Sequence, residues 1–269
     1  MNRQFDVIII GDSKAGNAAI KNIAGANRNI KVAFISREFK SSTTRDFLNV
    51  EYIKDEVSYI DYNRGLFGCY LNSGLRHYCT HLIIATGLSY APFKAGNKAI
   101  PGVFNTSNEI PKASKQQVAV VVGSDEADIK LALAVARKYK YVYLCTDVVE
   151  LAIKEATNKK LIAADNILVV PNASIAKAVF EDNTLVSVTL DNYSKITCNA
   201  IFAKTAATPE TKFISDKIVN KENGYIETTN ISQSHLVPKC FAIGNCTTKS
   251  TKKMQAAMIE AVLDDFAGG

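Results

Sequence analysis

The sequence predicts an α/β protein, and two observations predict it. A strand–glycine–helix–strand unit opens the chain around Gly11, and the same pattern restarts 112 positions later around Gly123. Each unit is followed by short aromatic or β-branched runs separated by turn residues. Hydrophobic residues make up 47% of the 269 positions, enough for sizeable cores, so the length fits one large domain or two of ordinary size.

The first unit begins with Val7 to Ile10, an unbroken apolar run that reads as a buried parallel strand. Gly11 follows at once. Ala15, Ala18, Ala19, Ile20 and Ile23 then recur at helical spacing, and Val32 to Ile35 is the next strand. This form seats a dinucleotide pyrophosphate on a helix N-terminus. Of the three glycine places in such a turn, Gly11 and Gly16 fill the first and third, and Ser13, small and able to donate a hydrogen bond, stands in the second. Glu38 lies near the end of the second strand, where an acidic residue accepts from ribose hydroxyls.

Residues 51–84 read as β-structure, with runs over Val57 to Tyr62, Leu66 to Leu71 and Arg76 to Ile84. Asn63-Arg64-Gly65 and Asn72-Ser73-Gly74 supply the turns. The last run ends in Ala85-Thr86-Gly87, which lets backbone come close to a ligand at a strand's carboxyl end; Pro92 and Pro101-Gly102 mark a connector. The second unit has strands at Val118 to Val122 and Tyr141 to Cys145 around a helix carrying Ile129, Leu131, Leu133 and Val135. Its loop is ill suited to phosphate. Asp125, Glu126 and Asp128 gather at the helix N-terminus, which suits the helix dipole and repels a pyrophosphate. Further strands are expected at Ile167 to Val170, Ala176 to Phe180, Leu185 to Leu190, Lys195 to Thr197 and Ala200 to Ala203. The chain closes in a helix from about Lys252 to Phe266, with one apolar face made by Ile259, Val262, Leu263 and Phe266.

Composition narrows the function classes. The net charge of +6 is spread over single lysines and short pairs with no arginine-rich block, which argues for solvated faces and against a nucleic-acid surface. No apolar run approaches the ~18 residues of a membrane span, and no signal-peptide form precedes Gly11. Six cysteines, none spaced C-x-x-C, and three histidines give no zinc or other metal signature; their scatter suits a reducing, cytoplasmic setting.

Gly11-x-Ser-x-x-Gly16, Glu38, Ala85-Thr-Gly87, the second unit at Gly123, Thr208-Pro209, Glu222-Asn-Gly-Tyr225, Phe241-Ala-Ile-Gly-Asn245 and Gln255-Ala256 form an ordered set. Taken together it resembles the thioredoxin-reductase-like branch of the FAD-dependent pyridine nucleotide-disulfide oxidoreductases, over nearly the whole chain. The resemblance implies two Rossmann-like three-layer dinucleotide-binding domains, one inserted in the other. An FAD domain would be built from 1–108 and 208–269, with a degenerate NAD(P)-binding-like domain at 109–207. The implied FAD site comprises Gly11, Ser13, Lys14, Ala15, Gly16, Ser36, Arg37, Glu38, Ala85, Thr86, Gly87, Gly244, Asn245, Gln255 and Ala256. Within it Glu38 lies on the adenosine ribose, and Asn245 replaces an aspartate beside the ribityl chain or phosphates.

The departures from that family matter equally. Where its C-x-x-C-D dithiol belongs, the chain reads Asn105-Thr-Ser-Asn-Glu109. Flavin-to-disulfide transfer needs a sulfur pair that can be attacked and released. Where arginines would hold an NADPH 2′-phosphate, the chain reads Cys145-Thr-Asp-Val-Val-Glu150. Asp147 could accept from a 2′-hydroxyl instead. The segment between Ser36 and Val50 is shorter than usual in the family, which would leave the flavin more exposed. Catalytic residues stay unassigned, with Cys246, directly after Asn245, the one candidate for a redox-active side chain; Cys69 and Cys79 read as packing across a hairpin. The expected function is an FAD-dependent oxidoreductase supplied with electrons by a ferredoxin-like or flavoprotein donor or by an unknown small molecule. A non-catalytic FAD- or nucleotide-binding protein with a regulatory role is the alternative. A homodimer is implied by the resemblance, and no nucleic acid or membrane partner is expected.

Overall fold

The computed structural model describes residues 3–39, 47–105 and 116–267. The chain forms two compact units: Met1–Ser89 with Ala207–Gly269, and Tyr90–Ala206. The expected boundary at 108 lies outside the described residues.

The first unit opens with β1 (Arg3–Ile10), α1 (Lys14–Ala26), β2 (Val32–Ser36) and β3 (Val50–Lys54), and continues into the meander β4 (Val57–Asn63), β5 (Leu66–Leu71) and β6 (Arg76–Ile84). These strands lie in the order β3-β2-β1-β6-β5-β4, with Cys240–Ala242 joining parallel to the end of β6. β1, β2, β3 and β6 run parallel, with Ile10 opposite Ile35 on one side and Ile84 on the other. Both faces of β1 are buried, which is why it reads as an unbroken apolar run rather than an alternating one. Val7 and Ile9 pack with Ile20 and Ile23 of α1 and with Met258 and Val262 of the closing helix. Ile8 and Ile10 pack on the opposite face with Ile60, Phe67 and Ile214. The turn Asn63-Arg64-Gly65 forms as its residues dictate, with Arg64 and Gly65 both at positive φ.

β3 falls in the stretch expected to be β but carries no apolar run of its own, because it is a half-buried edge strand. It matters to the site, since its carboxyl end supplies three wall residues.

The second unit holds a four-stranded parallel sheet in the order Ile167–Val170, Tyr141–Cys145, Val118–Val122, Ala200–Ala203, with α2 (Glu126–Ala136) and α3 (Glu155–Ile162). An antiparallel sheet of Ile175–Glu181, Thr184–Leu190 and Lys195–Thr197 adjoins it. α3 was not legible in the sequence: only Thr157 and Leu161 of its eight residues are buried, too few to make a periodic stripe. The chain then returns to the first unit and ends in α4 (Lys252–Asp264).

Candidate functional site: a nucleotide cavity at the carboxyl end of the first sheet

The first sheet turns its parallel strands' carboxyl ends toward one crevice, the usual place for a ligand in such a sheet. Gly11 N–H donates to Ile35 O at 2.9 Å and Ala85 N–H to Ile10 O at 2.8 Å, which ties the ends of β1, β2 and β6 together. Gly11 has φ +108°, and a Cβ there would lie 2.5 Å from Ala85 O and 2.7 Å from the Thr86 Cα. A Cβ on Gly16 would collide with Gly11 O. These two glycines therefore let α1 start directly against the strands. Ser13 caps α1, its Oγ accepting from Gly16 N–H at 3.1 Å, and no acidic residue stands in the helix's first turn.

A cavity of about 360 Å³ opens here, lined by Gly11, Asp12, Ser13, Ser36, Arg37 and Glu38, by Asp55, Glu56 and Val57 after β3, and by Thr86, Glu210 and Phe213. Its carboxylates are largely engaged. Asn17 Nδ2 donates to Asp12 Oδ1 at 2.5 Å. Arg37 reaches across the mouth to Glu210 at 3.2 Å and Glu56 at 3.5 Å. Thr86 Oγ1 donates to Glu210 O at 2.6 Å, and Glu210 N–H to Gly87 O at 3.1 Å, which fixes that wall.

Beside the cavity, the 3₁₀ turn Gly244–Cys246 links Cys240–Ala242 to α4. Gly244 N–H donates to Ser250 Oγ at 3.1 Å, and so does Gln255 Nε2 at 3.0 Å. Cys246 is fully buried, its Sγ directed at Ile243 O at 3.3 Å, and burial pushes its thiol above the ordinary range. This setting is the reverse of the electropositive, partly exposed one that activates cysteines.

The second unit's corresponding turn is built differently. The carboxyl group of Asp128 folds over Gly123, inside the space a Cβ there would fill. Asp125 Oδ1 accepts from Ala127 N–H at 2.7 Å and Asp128 N–H at 2.8 Å, while Asp128 Oδ2 accepts from Asp125 N–H at 3.1 Å. Hydrogen bonds from these backbone amides and from Lys204, 3.1 Å away, hold Asp125 down at about 2. Burial, with Asp125 adjacent, pushes Asp128 up. Glu126 does not face the turn as expected: it accepts from Thr157 Oγ1 at 2.6 Å and Lys154 N–H at 3.0 Å and pairs with Lys130. The amides of this turn are thus taken up by the protein's own carboxylates, and two of the three expected acids gather there rather than three. Ser124 Oγ donates to Asp147 Oδ1 at 2.6 Å, so that acid is engaged as well.

The sequence model of the pyridine nucleotide-disulphide oxidoreductases matches residues 43–261. The chain belongs to this family. Its fold is that of thioredoxin reductases. The enzyme from Lactococcus lactis superposes with a TM-score of 0.65 at 18% identity, covering 97% of this chain and 98% of that one. The T. acidophilum enzyme gives 0.66 at 18%, covering 98% and 100%. That from Streptococcus pyogenes gives 0.64 at 17%, covering 98% and 99%. No curated protein matches by sequence.

Family members are FAD-binding flavoproteins, and the first unit's residues fit that cofactor. Its cavity falls within the ~300–1,000 Å³ of ligand pockets. It meets a helix N-terminus free of acids in its first turn, and Gly11 keeps the turn bare of side chain. Of the expected FAD residues, Gly11, Ser13, Ser36, Arg37, Glu38 and Thr86 line the cavity together. Lys14, Ala15, Gly16, Ala85 and Gly87 belong to the same turns without being part of its lining. Gly244, Asn245, Gln255 and Ala256 stand apart from that lining, with Gly244 close against Ala15. Sequence reasoning missed Asp12, Asp55, Glu56, Val57, Glu210 and Phe213. Asp55 to Val57 stand directly past the carboxyl end of the third parallel strand, and that position is the signal that could have found them. Glu210 carries no such signal, because only the return of the chain brings it to the mouth.

Proposed function

We propose that this chain is an FAD-dependent oxidoreductase that neither takes NAD(P)H in its second unit nor carries the redox dithiol of thioredoxin reductase, and that a carrier protein supplies its electrons. The observation that carries this reading is the contrast between two helix N-termini in equivalent turns. In the first, α1 begins with Ser13 and Lys14 and leaves the turn to a ligand. In the second, Asp125 and Asp128 occupy the amides and the space over Gly123. Asn105, in a former cysteine place, accepts from Thr205 Oγ1 at 2.7 Å; Asn108 and Glu109 lie outside the described residues.

Bound FAD would supply the redox chemistry itself. The protein's part is to hold it. Gly11 and Gly16 bring the α1 N-terminus to the pyrophosphate, Glu38 offers an acceptor to the adenosine ribose, and Arg37 offsets the carboxylates of Glu56 and Glu210.

The test is the visible spectrum of the purified protein during anaerobic titration with NADPH and NADH. A yellow protein whose flavin is not bleached by either nucleotide is expected. Micromolar NADPH binding with fast bleaching would overturn the reading. Flavin that no carrier protein can reduce and reoxidise would mark a non-catalytic FAD-binding protein instead.

A further inference from the structure

If a carrier protein supplies the electrons, the first unit needs a surface to meet it near the cofactor cavity. β1 leads into α1, and Cys240–Ala242, parallel to β6, leads through Gly244–Cys246 into α4, so both helices start at the carboxyl end of the sheet, where the cavity lies. They pack side by side through Ile20, Ile23, Met258 and Val262. Their starts adjoin: a Cβ on Gly244 would lie 3.1 Å from the Ala15 Cβ, and Ser250 Oγ bonds both Gly244 N–H and Gln255 Nε2.

Around this junction Lys14, Lys249, Lys252 and Lys253 are all exposed. Lys249, Lys252 and Lys253 have no ion-pair partner among the described residues, as is true of most described lysines, but here three such lysines fall within five positions. Lys252 and Lys253 also occupy the first turn of α4, the end of a helix where its dipole disfavours cations. Unpaired positive charge kept at an unfavourable position, beside the cofactor crevice, suits an anionic partner from outside. Ammonium groups on flexible stems favour the steered and salt-sensitive association with carboxylates that a carrier needs in order to dock and leave.

We propose that Lys249, Lys252 and Lys253 form the docking surface for an acidic electron-carrier protein. The proposal rests on the carrier-protein reading above. The test uses the FAD-loaded full chain and an acidic flavodoxin, with the triple variant Lys249→Glu/Lys252→Glu/Lys253→Glu. Calorimetry at low ionic strength, where charges act over ~30 Å, should show binding that weakens steeply with salt. The triple variant should lose at least about tenfold in affinity and most of the salt slope, while its flavin content and visible spectrum match the parent. Equal affinity in both proteins, or binding by neither, would overturn the proposal. Should the reversal variant fail to retain FAD, Lys249→Gln/Lys252→Gln/Lys253→Gln gives the same reading with a smaller loss. Rapid mixing with reduced flavodoxin separates the two ideas. Lysine-dependent binding without flavin reduction would sink the donor reading alone, and flavin reduction insensitive to the lysines would sink the surface alone.

Discussion

At the residue scale, Gly11 shows how one position serves both fold and cofactor. Its positive φ and the 2.5 Å clash awaiting any Cβ at Ala85 O are properties of the bare protein. Gly11→Val should therefore lose flavin retention and lower the melting temperature together; a variant that melts normally and keeps its FAD would contradict this account. His81 makes a second residue-scale prediction. It is buried on β6, 2.9 Å from Asp265 Oδ2, with its ring tilted at 50° against that of Phe266. Burial holds its imidazole below the ordinary value of about 6.5, and burial does the same for His77. A depressed histidine binds fewer protons folded than unfolded, so stability rises with pH up to about 6.5 and is lost as pH falls below it. Asp265, held down mainly by His81 and then Lys239, adds stability present above its ordinary range near 3.9 and lost in stronger acid. Melting curves between about pH 7.5 and 5 should show the decline, and His81→Gln should flatten it, leaving the share due to His77.

At the scale of elements, α1 and α2 start from the same strand–glycine–helix pattern and end with different uses. α2 has a reciprocal capping box between Asp125 and Asp128, whereas α1 has the single bond from Gly16 N–H to Ser13. Removing the α2 cap with Asp125→Ala should cost about 1 kcal/mol, read from urea denaturation. The double change Asp125→Gly/Asp128→Ala should lower stability further and raise NADPH affinity measurably by calorimetry, because it frees the amides and the space over Gly123. With no arginines after Leu144, affinity should still stay well below that of a working site. An unchanged affinity would show that the loop carboxylates are not the obstacle.

At the scale of the whole molecule, all six cysteines are buried, and burial pushes Cys145 up to about 11 and Cys198 up to about 12. The folded protein should react only slowly with an aromatic disulfide reagent near pH 8, and all six thiols should react once it is unfolded. NADPH-driven reduction of thioredoxin should be absent. A fast-reacting native thiol pair, or such turnover, would show that a working dithiol had been missed.

The chain by itself determined the two strand–glycine–helix units, the meander and its turns, because these are local: apolar runs, glycine and Asn-Gly-type chemistry act within a few residues of their place in sequence. It also showed that the second turn is acidic. Tertiary structure decided what those acids do, since whether Glu126 faces a phosphate or Thr157 depends on a helix 31 positions away. It decided the far wall of the cavity, where Glu210 comes to lie against Arg37 and Thr86, 124 positions from the latter. It also settled the state of Cys246, because sequence neighbours say nothing of whether a side chain meets solvent or a buried carbonyl. Periodicity reports which face of an element is apolar; only packing fixes which distant element closes over it.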